Sequence, residues 1–398
     1  MLFRSFSVDG NINVHYIYSS CQSQSSAESI VTVGGACTGS QSGSSVSNIG
    51  NGLLPAAITF GVATTQDGFD IAAHFGLYPG IATNDGGSPN LQQGPVGQQT
   101  NTGLGTTGLD VRQVFMTFGN KDIGTFTLGR NFGLFGFDAI INDMTLPGVG
   151  VAGSASGPTP SNTTLGSIGF GYIYVDTLAQ IDYTTPDFAG FNATIGIFDP
   201  VNALDAAGSA DGPALAKKAP GVHGKVAYTA PLGEDMKFYV SGTFIYQKQD
   251  YATGATTFNE FNSTGFDVFA KFAVAGFEAD ASYYHGKGMG TTGLFILADD
   301  GFGNARKSDG YLLQGTYKIG KVKLGVNYGV SNLDFANSAD AASIPNLLSK
   351  NSKETFGVYY SLTKNLTLLS EFSHVETQAH NGFENESNNF NAGAFVSF

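Results

Sequence analysis

Side chains capable of chemistry occur throughout this chain, but none forms a recognisable catalytic motif. The six histidines are scattered and lack the His-Glu-x-x-His spacing of zinc enzymes. No Gly-x-Ser-x-Gly sequence presents a serine nucleophile. Asp138 and Asp143 could be imagined as a carboxylate pair for acid–base catalysis, but acids in one loop can equally act through charge alone. We therefore predict no enzymatic activity, no metal site and no cofactor.

The composition argues against a nucleic-acid-binding protein and against a helical membrane protein. The net charge is −13, whereas nucleic-acid binding requires clustered lysine and arginine. Charged residues make up 13% and hydrophobic residues 41% of the chain, yet no run approaches the roughly 18 apolar residues of a membrane helix. The 55 glycines, 32 phenylalanines and 17 tyrosines are instead typical of a turn-rich, aromatic-rich all-β protein.

Alternating apolar and polar residues predict strands whose two faces have different surroundings. In Phe266–Phe272 the even-numbered residues are apolar, whereas Asp267 and Lys271 occupy the opposite face. Short and long connections alternate along the chain, which implies about sixteen antiparallel strands. The first long connection is 19–55. Alternation alone also fits a soluble β-sandwich, but the asymmetry of the connections favours a transmembrane β-barrel with its apolar face toward lipid.

The last strand supports the barrel. In Phe390–Phe398, one face is entirely apolar and the other is mostly small or polar. A membrane barrel must pair its last strand with its first, because lipid cannot satisfy an open edge. We therefore predict that Phe398 closes the barrel, and that residues 1–398 form a single transmembrane domain.

Residues 112–150 carry a more specific signature. The matching stretches are Arg112–Phe115, Ile123–Gly133, Phe137–Ala139 and Asn142–Gly148, and Tyr183–Phe191 matches a further strand–turn–strand. They resemble the Gram-negative general (diffusion) porin family. The resemblance implies a multi-pass barrel in the outer membrane of a Gram-negative bacterium, in which short turns face the periplasm and a third extracellular loop folds inward to narrow the pore. It implies passive diffusion of ions and small hydrophilic solutes, with the lipid bilayer and a homotrimer of the chain as partners and no nucleic acid.

The resemblance also implies roles for individual residues. Arg112 matches a wall arginine that faces the constriction loop, here predicted at 132–166. Asp143 matches an acid of that loop, and Asp138 lies where the family often has Asp before Ala. Arg130 matches an arginine that faces a neighbouring subunit in trimeric relatives. The pattern departs from the family at Gly148, where relatives usually carry a glutamate, so that one constriction acid is missing.

Alternate residues of a strand point to opposite faces, and we call this odd or even position the parity of a residue. Parity predicts which further charges lie inside the barrel. If the apolar face meets lipid, the inward charges are Asp9, Asp182, Lys225, Asp267, Lys271, Asp280 and Glu371. Opposed charges in a narrow lumen create a transverse field, which orients dipolar solutes. Because the inward acids and the loop acids outnumber the basic groups, we expect a weak preference for cations.

The only two cysteines, Cys21 and Cys37, lie in the Ser/Gly-rich segment near the N-terminus. We predict a disulfide across the first long loop, which would stabilise the chain by about 3 kcal/mol in the chain-entropy model. Two free thiols are the alternative.

Two functional alternatives to a diffusion channel remain open at this stage. A substrate-specific channel would show saturable block by one solute. A structural or adhesive surface barrel would present the long loops and would not conduct.

Overall fold

In the computed structural model of the protein, the described residues are 5–22, 30–33, 45–81, 109–152, 163–204, 218–233, 235–250 and 259–398. Within these ranges the chain forms one antiparallel sheet and two short helices. The elements are β1 (Ser5–Cys21), β2 (Ser45–Gly50), β3 (Ala57–Gln66), β4 (Phe69–Pro79), β5 (Leu109–Asn120), β6 (Gly124–Phe132), α1 (Phe137–Asn142), β7 (Thr177–Thr184), β8 (Phe191–Phe198), β9 (Gly221–Pro231), β10 (Met236–Gln249), β11 (Phe261–Val274), β12 (Phe277–Lys287), β13 (Lys307–Ile319), β14 (Val322–Leu333), α2 (Ser338–Ser343), β15 (Leu348–Ser361), β16 (Leu366–Ala379) and β17 (Glu384–Ser397).

The sheet closes into a barrel of sixteen staves, where a stave is one strand position around the circumference of the barrel. Apart from β2 and β3, consecutive strands pair with each other, and β17 pairs with β1. The short strands β2 and β3 pair with different parts of β1, at His15–Ser20 and Ser5–Asn11, so that together they form a single interrupted stave. The predicted all-β, antiparallel barrel of about sixteen strands is therefore confirmed.

Phe398 lies at the seam between the last and the first strand. Its backbone N–H donates to the Gly10 carbonyl and its carbonyl accepts from the Gly10 N–H, both at 3.0 Å. The ring of Phe398 covers Gly10 so closely that a Cβ there would lie 2.7 Å from a ring carbon. A larger residue at position 10 would push this ring away from the seam.

The two faces of the barrel differ as the alternation predicts. On β1, Phe6, Ile12 and Val14 are exposed on the outer face, whereas Asn11 and Asn13 are buried on the inner face. A chain whose outer wall is apolar and whose inner wall is polar matches a barrel with lipid outside and a hydrated interior. None of the helices in the described part of the chain is long and apolar enough to cross a membrane.

Two predicted loop boundaries are wrong. Within the predicted first loop, 19–55, β1 continues to Cys21 and β2 occupies Ser45–Gly50, because these strand ends carry many serines and lack a clear apolar face. The constriction loop extends beyond 166, since β6 ends at Phe132 and β7 begins only at Thr177. Its last part, Ser167–Asp176, alternates like a strand but contributes its apolar side chains to the interior of the barrel.

Candidate functional site

The described part of the connection between β6 and β7, residues 133–152 and 163–176, folds into the barrel and is called the constriction loop below. Its base is closed by a hydrogen bond of 3.1 Å from the Gly133 N–H to the Asp176 carbonyl. Phe135, Phe170 and Ile173 are almost completely buried, and they pack against inward side chains of the wall. Apolar burial holds this loop inside a barrel whose inner wall is otherwise polar.

Two wall carboxylates anchor the loop backbone. Asp267 on β11 accepts the Gly136 N–H at 2.9 Å. Glu371 on β16 accepts the N–H groups of Val149 and Gly150 at 2.8 and 2.9 Å. These two predicted lumen charges therefore hold the loop instead of facing open water.

Gly148 explains the departure from the family sequence. A Cβ at this position would lie 2.0 Å from Oε1 of Glu371, so that no side chain fits between the loop and the wall. The Glu371 carboxylate also accepts the Tyr359 hydroxyl at 2.7 Å and the Asn391 amide at 3.1 Å. The acid that the loop lacks at Gly148 is thus supplied from the wall.

Asp138 on α1 is paired with the wall. Its carboxylate lies 2.7 Å from the Lys225 Nζ and accepts the Tyr239 hydroxyl at 2.9 Å. The Ser241 hydroxyl is a third partner. Both charges of the pair are largely buried, so they neutralise each other at close range instead of facing a solute.

Asp143 is held within the loop. It accepts the Tyr172 hydroxyl at 2.8 Å, the Thr145 hydroxyl at 2.7 Å and the Ser167 N–H at 3.0 Å. These bonds tie the outgoing and returning halves of the constriction loop together. Asp143 is buried, with 3% of its surface exposed, and therefore shapes the loop from within.

Arg112 does not face the loop acids, contrary to the prediction. Its Nε lies 2.7 Å from Asp110 on the same strand, and its Nη1 donates to the Tyr174 hydroxyl at 3.4 Å. The guanidinium also lies 5.4 Å from the centre of the Tyr78 ring. A register irregularity between β4 and β5 places both Asp110 and Arg112 inside, so the arginine finds its counter-charge two residues away.

The remaining predicted lumen charges lie on inward positions but serve different purposes. Asp280 accepts the Gln314 amide at 2.7 Å, and Gln314 in turn accepts the Met144 N–H of the loop at 2.9 Å. Lys271 lies 3.2 Å from Glu278 and 3.3 Å from the Asn142 side chain. Asp9 is exposed in the lower lumen, which is the part of the barrel interior at the end that carries the short turns between strands. Asp182 is buried on β7.

Titration at the base of the loop is governed by burial. Burial raises the pKa of Asp176 to about 6, while its hydrogen bond from the Thr177 N–H acts in the opposite direction. Burial likewise raises the pKa of the Tyr174 hydroxyl to about 12. Both groups are therefore more easily kept neutral than the same groups in water.

The charges that face the lower lumen are separated across the barrel. Asp9 and Asp70 lie inward on β1 and β4. On the opposite side of the ring, four inward lysines surround one acid, Glu278 on β12, which lies 3.2 Å from Lys271; the lysines are Lys237, Lys271, Lys318 and Lys323, on β10, β11, β13 and β14. These acids and lysines are exposed or half-buried, so they act on whatever fills the lower lumen. The parity of residues in the sequence predicted that some of these charges lie inside the barrel. It did not predict that the acids of β1 and β4 lie opposite the lysines.

Arg130 and Cys21 were predicted to act outside the pore. Arg130 lies on the outer face of β6, where its Nη2 donates to the Thr177 hydroxyl at 3.2 Å. Its Nε is buried and has no hydrogen-bond partner among the described residues. Cys21 is buried at the end of β1 and is disulfide-bonded, while its predicted partner Cys37 lies outside the described residues.

Several residues of the site were not predicted from the sequence. Asp110, the partner of Arg112, could have been found from its i, i+2 spacing, which puts two residues on the same strand face. Lys353 and Asn351 on β15 donate to the carbonyls of Gly166 and Gly169 at 2.9 and 3.0 Å. Their inward parity was readable, but the loop carbonyls that they bind are distant in sequence.

Known proteins share this architecture. Residues 4–380 match the Gram-negative porin family. The chain resembles the outer-membrane channel DcaP of Acinetobacter baumannii with a TM-score of 0.69 at 13% identity, covering 99% of this chain and 97% of that one. It also resembles Pseudomonas putida OprB (TM-score 0.59, 11% identity, 99% and 94% coverage) and Salmonella typhi OmpF (TM-score 0.57, 13% identity, 99% and 97% coverage). No curated protein matches significantly. With a family match over nearly its whole length and a closed sixteen-stave barrel, this chain belongs to the Gram-negative porins and is a multi-pass channel protein of the outer membrane.

Proposed function

We propose that this porin passes ions and small hydrophilic solutes by passive diffusion, without a catalytic step and without coupling to an energy source. The observation that carries the proposal is the inward-folded constriction loop, which is anchored to the wall by Asp267 and Glu371. A loop fixed in this way narrows a barrel permanently, so solute size and charge decide the rate of passage.

Selectivity follows from the charges that remain unpaired. Asp138 is paired with Lys225 and Asp143 is enclosed by hydrogen bonds, so neither loop acid supports the cation preference predicted from the charge count. Asp9 and Asp70 face the lysines of β10–β14 across the lower lumen. Such opposed walls orient dipolar solutes, and they favour neither sign of ion strongly. The weak cation preference then depends on the net charge of −13 of the whole chain, which raises the cation concentration near the pore.

The porin acts as a homotrimer in this proposal, with Arg130 at the contact between subunits. An arginine on the lipid face of a barrel costs about 2–4 kcal/mol at mid-membrane. Arg130 is partly exposed on this face, where a neighbouring subunit would shield it from lipid. The outer face around it is apolar, including Val114 and Leu128, as a subunit contact requires.

Planar-bilayer recording of the purified protein tests the proposal. A diffusion channel gives stable, ohmic conductance steps, with reversal potentials near zero or weakly cation-favouring under a KCl gradient. Saturable block by a single sugar or anion would indicate a substrate-specific channel instead. Membrane insertion without conductance would refute the channel and favour a structural or adhesive surface barrel.

A further inference from the structure

A second connection also folds inward. Residues 288–306, between β12 and β13, are called the inner lobe here. The lobe is closed at its base by hydrogen bonds from the Gly288 N–H to the Arg306 carbonyl, at 2.7 Å, and from the Arg306 N–H to the Ala298 carbonyl, at 2.9 Å. Six of its apolar side chains are at most 5% exposed, whereas Phe302 near its end is 57% exposed; the six are Met289, Leu294, Phe295, Ile296, Leu297 and Ala298. A connection that pointed into water could not bury such a set.

The inner lobe is buried against the inside of the barrel and against the constriction loop. Four of its apolar residues, Met289, Leu294, Phe295 and Ala298, share one cluster with inward side chains of the wall and with the constriction loop; this cluster includes Phe198, Ile245 and Tyr284 of the wall and Phe135 and Ile173 of the loop. The backbones of the two loops also join, because the Tyr174 N–H donates to the Thr292 carbonyl at 2.8 Å. The lobe therefore fills space on the side of β8–β13.

A buried ion pair fixes the inner lobe in place. Arg306 and Asp340 form two hydrogen bonds of 2.8 and 2.7 Å, and both side chains are completely buried. Arg306 also donates to the Leu297 carbonyl at 3.3 Å, which connects the pair to the apolar part of the lobe. Asp340 lies on α2, in the connection between β14 and β15, so the pair joins two neighbouring connections.

The backbone of the lobe indicates a fixed conformation. Thr292, Phe295 and Leu297 have φ values of 68°, 62° and 63°, in the left-handed region. Bulky residues adopt this region only where the surrounding packing imposes it. The inner lobe is thus a rigid insert.

The wall of β3–β6 differs from the β8–β13 side in the size and polarity of its inward side chains. Besides the exposed Asp70 and the stacked rings of His74 and Phe115, several of its inward side chains are small, neutral and half-buried: Thr59, Ala63, Ala72, Thr117 and Thr127. A cavity of about 700 Å³ opens at the short-turn end of this wall, lined by residues that include Ala63, Ala72 and Thr117 and the charged Asp70 and Lys121.

From this contrast we infer that the inner lobe is a second restriction of the pore, which together with the constriction loop closes the β8–β13 side and confines solutes to the hydroxyl-lined wall of β3–β6. The inference rests on the proposed channel function. It assigns the inner lobe and its Arg306–Asp340 pair a part in setting the pore size.

Cysteine accessibility tests the path. Thr117→Cys places a thiol on the proposed path, and Ser263→Cys places one beneath the lobe, where the Ser263 hydroxyl donates to the Gly288 carbonyl at 2.6 Å. A trimethylammonium-bearing methanethiosulfonate is added to single open channels, with non-reduced wild type as the reference. We expect a stepwise loss of conductance for Thr117→Cys and none for Ser263→Cys. Equal loss at both positions, or loss at Ser263→Cys alone, overturns the inference.

Releasing the lobe tests the restriction itself. Asp340→Asn leaves the buried Arg306 without its counter-charge, and we expect a larger single-channel conductance and reagent sensitivity of Ser263→Cys in this background. Asp334→Asn, the same change at an exposed position nearby, is the matched control. Unchanged conductance and continued protection of Ser263→Cys in a folded Asp340→Asn channel refute the restriction. Wild-type protein that inserts without conducting refutes the proposed function as well.

Discussion

Replacing Glu371 tests how the constriction loop is held. The Glu371 carboxylate accepts the N–H groups of Val149 and Gly150, the Tyr359 hydroxyl and the Asn391 amide. Substitution by alanine leaves the two loop N–H groups without their acceptor in a buried place. Glutamine keeps the shape and one acceptor oxygen, but it turns an amide NH₂ toward donors.

The expected magnitude follows from the two backbone groups. A buried donor that loses its partner costs about 1–3 kcal/mol, so Glu371→Ala weakens loop docking by about 2–6 kcal/mol before water enters. Tyr359 and Asn391 lie on the wall, so they lose their acceptor whether or not the loop is docked, and this loss adds little to the docking term. A net loss of about 3 kcal/mol changes the ratio of docked to undocked loop by roughly a hundredfold. Glu371→Gln should lie between wild type and alanine.

Single-channel recording and limited proteolysis measure this effect. We expect larger and noisier conductance steps in the order wild type, Glu371→Gln, Glu371→Ala, and cleavage within the constriction loop in the same order. Glu354→Gln removes a charge from an exposed position on the neighbouring strand β15 and is the control. Identical conductance and identical cleavage in Glu371→Ala and wild type would show that the carboxylate does not hold the loop.

Three further predictions concern the base of the loop, the outer wall and the first connection. Because burial raises the pKa of Asp176 from 3.8 to about 6, its stabilising contribution is full below about pH 4 and is lost as the pH rises through about 6. Loop cleavage should therefore increase across this range, and Asp176→Asn, which suits the left-handed backbone there, should abolish the pH dependence. Arg130→Leu should shift the trimer toward monomer in mild detergent by light scattering, and an unchanged mass would refute the proposed contact. Thiol titration of unfolded, non-reduced protein should find no free thiol at Cys21 or Cys37, whereas two thiols would contradict the pairing.

The barrel was predictable because its strands have two different surroundings. Phe266–Phe272 alternates between lipid and lumen, and this period of two is visible in the sequence without knowledge of the fold. Closure was predictable for a related reason, since a strand edge in lipid must find a partner. These inferences need only local sequence and the properties of the solvent.

The interior was less predictable because alternation does not say which two surroundings a segment has. Ser167–Asp176 alternates as a lipid-facing strand would, but Ile168, Phe170 and Tyr172 pack inside the barrel. The missing information is the apolar surface of the wall and of the inner lobe, which comes from residues far away in sequence. The length of the connection between β6 and β7 was the better indication that this segment is a loop and not a strand of the wall.

Parity also identified the inward charges without identifying their partners. Asp267 and Gly136 are separated by 131 residues, and Glu371 and Val149 by 222, so no local pattern could join them. A charge count treats each such group as an independent contribution to the field in the pore. Once a carboxylate is bound by backbone N–H groups, or lies 2.7 Å from an ammonium as Asp138 does, its effect on a passing ion is largely cancelled at a distance. The electrostatics of this lumen therefore depend on the charges that no loop has recruited, and these lie below the constriction, on opposite walls.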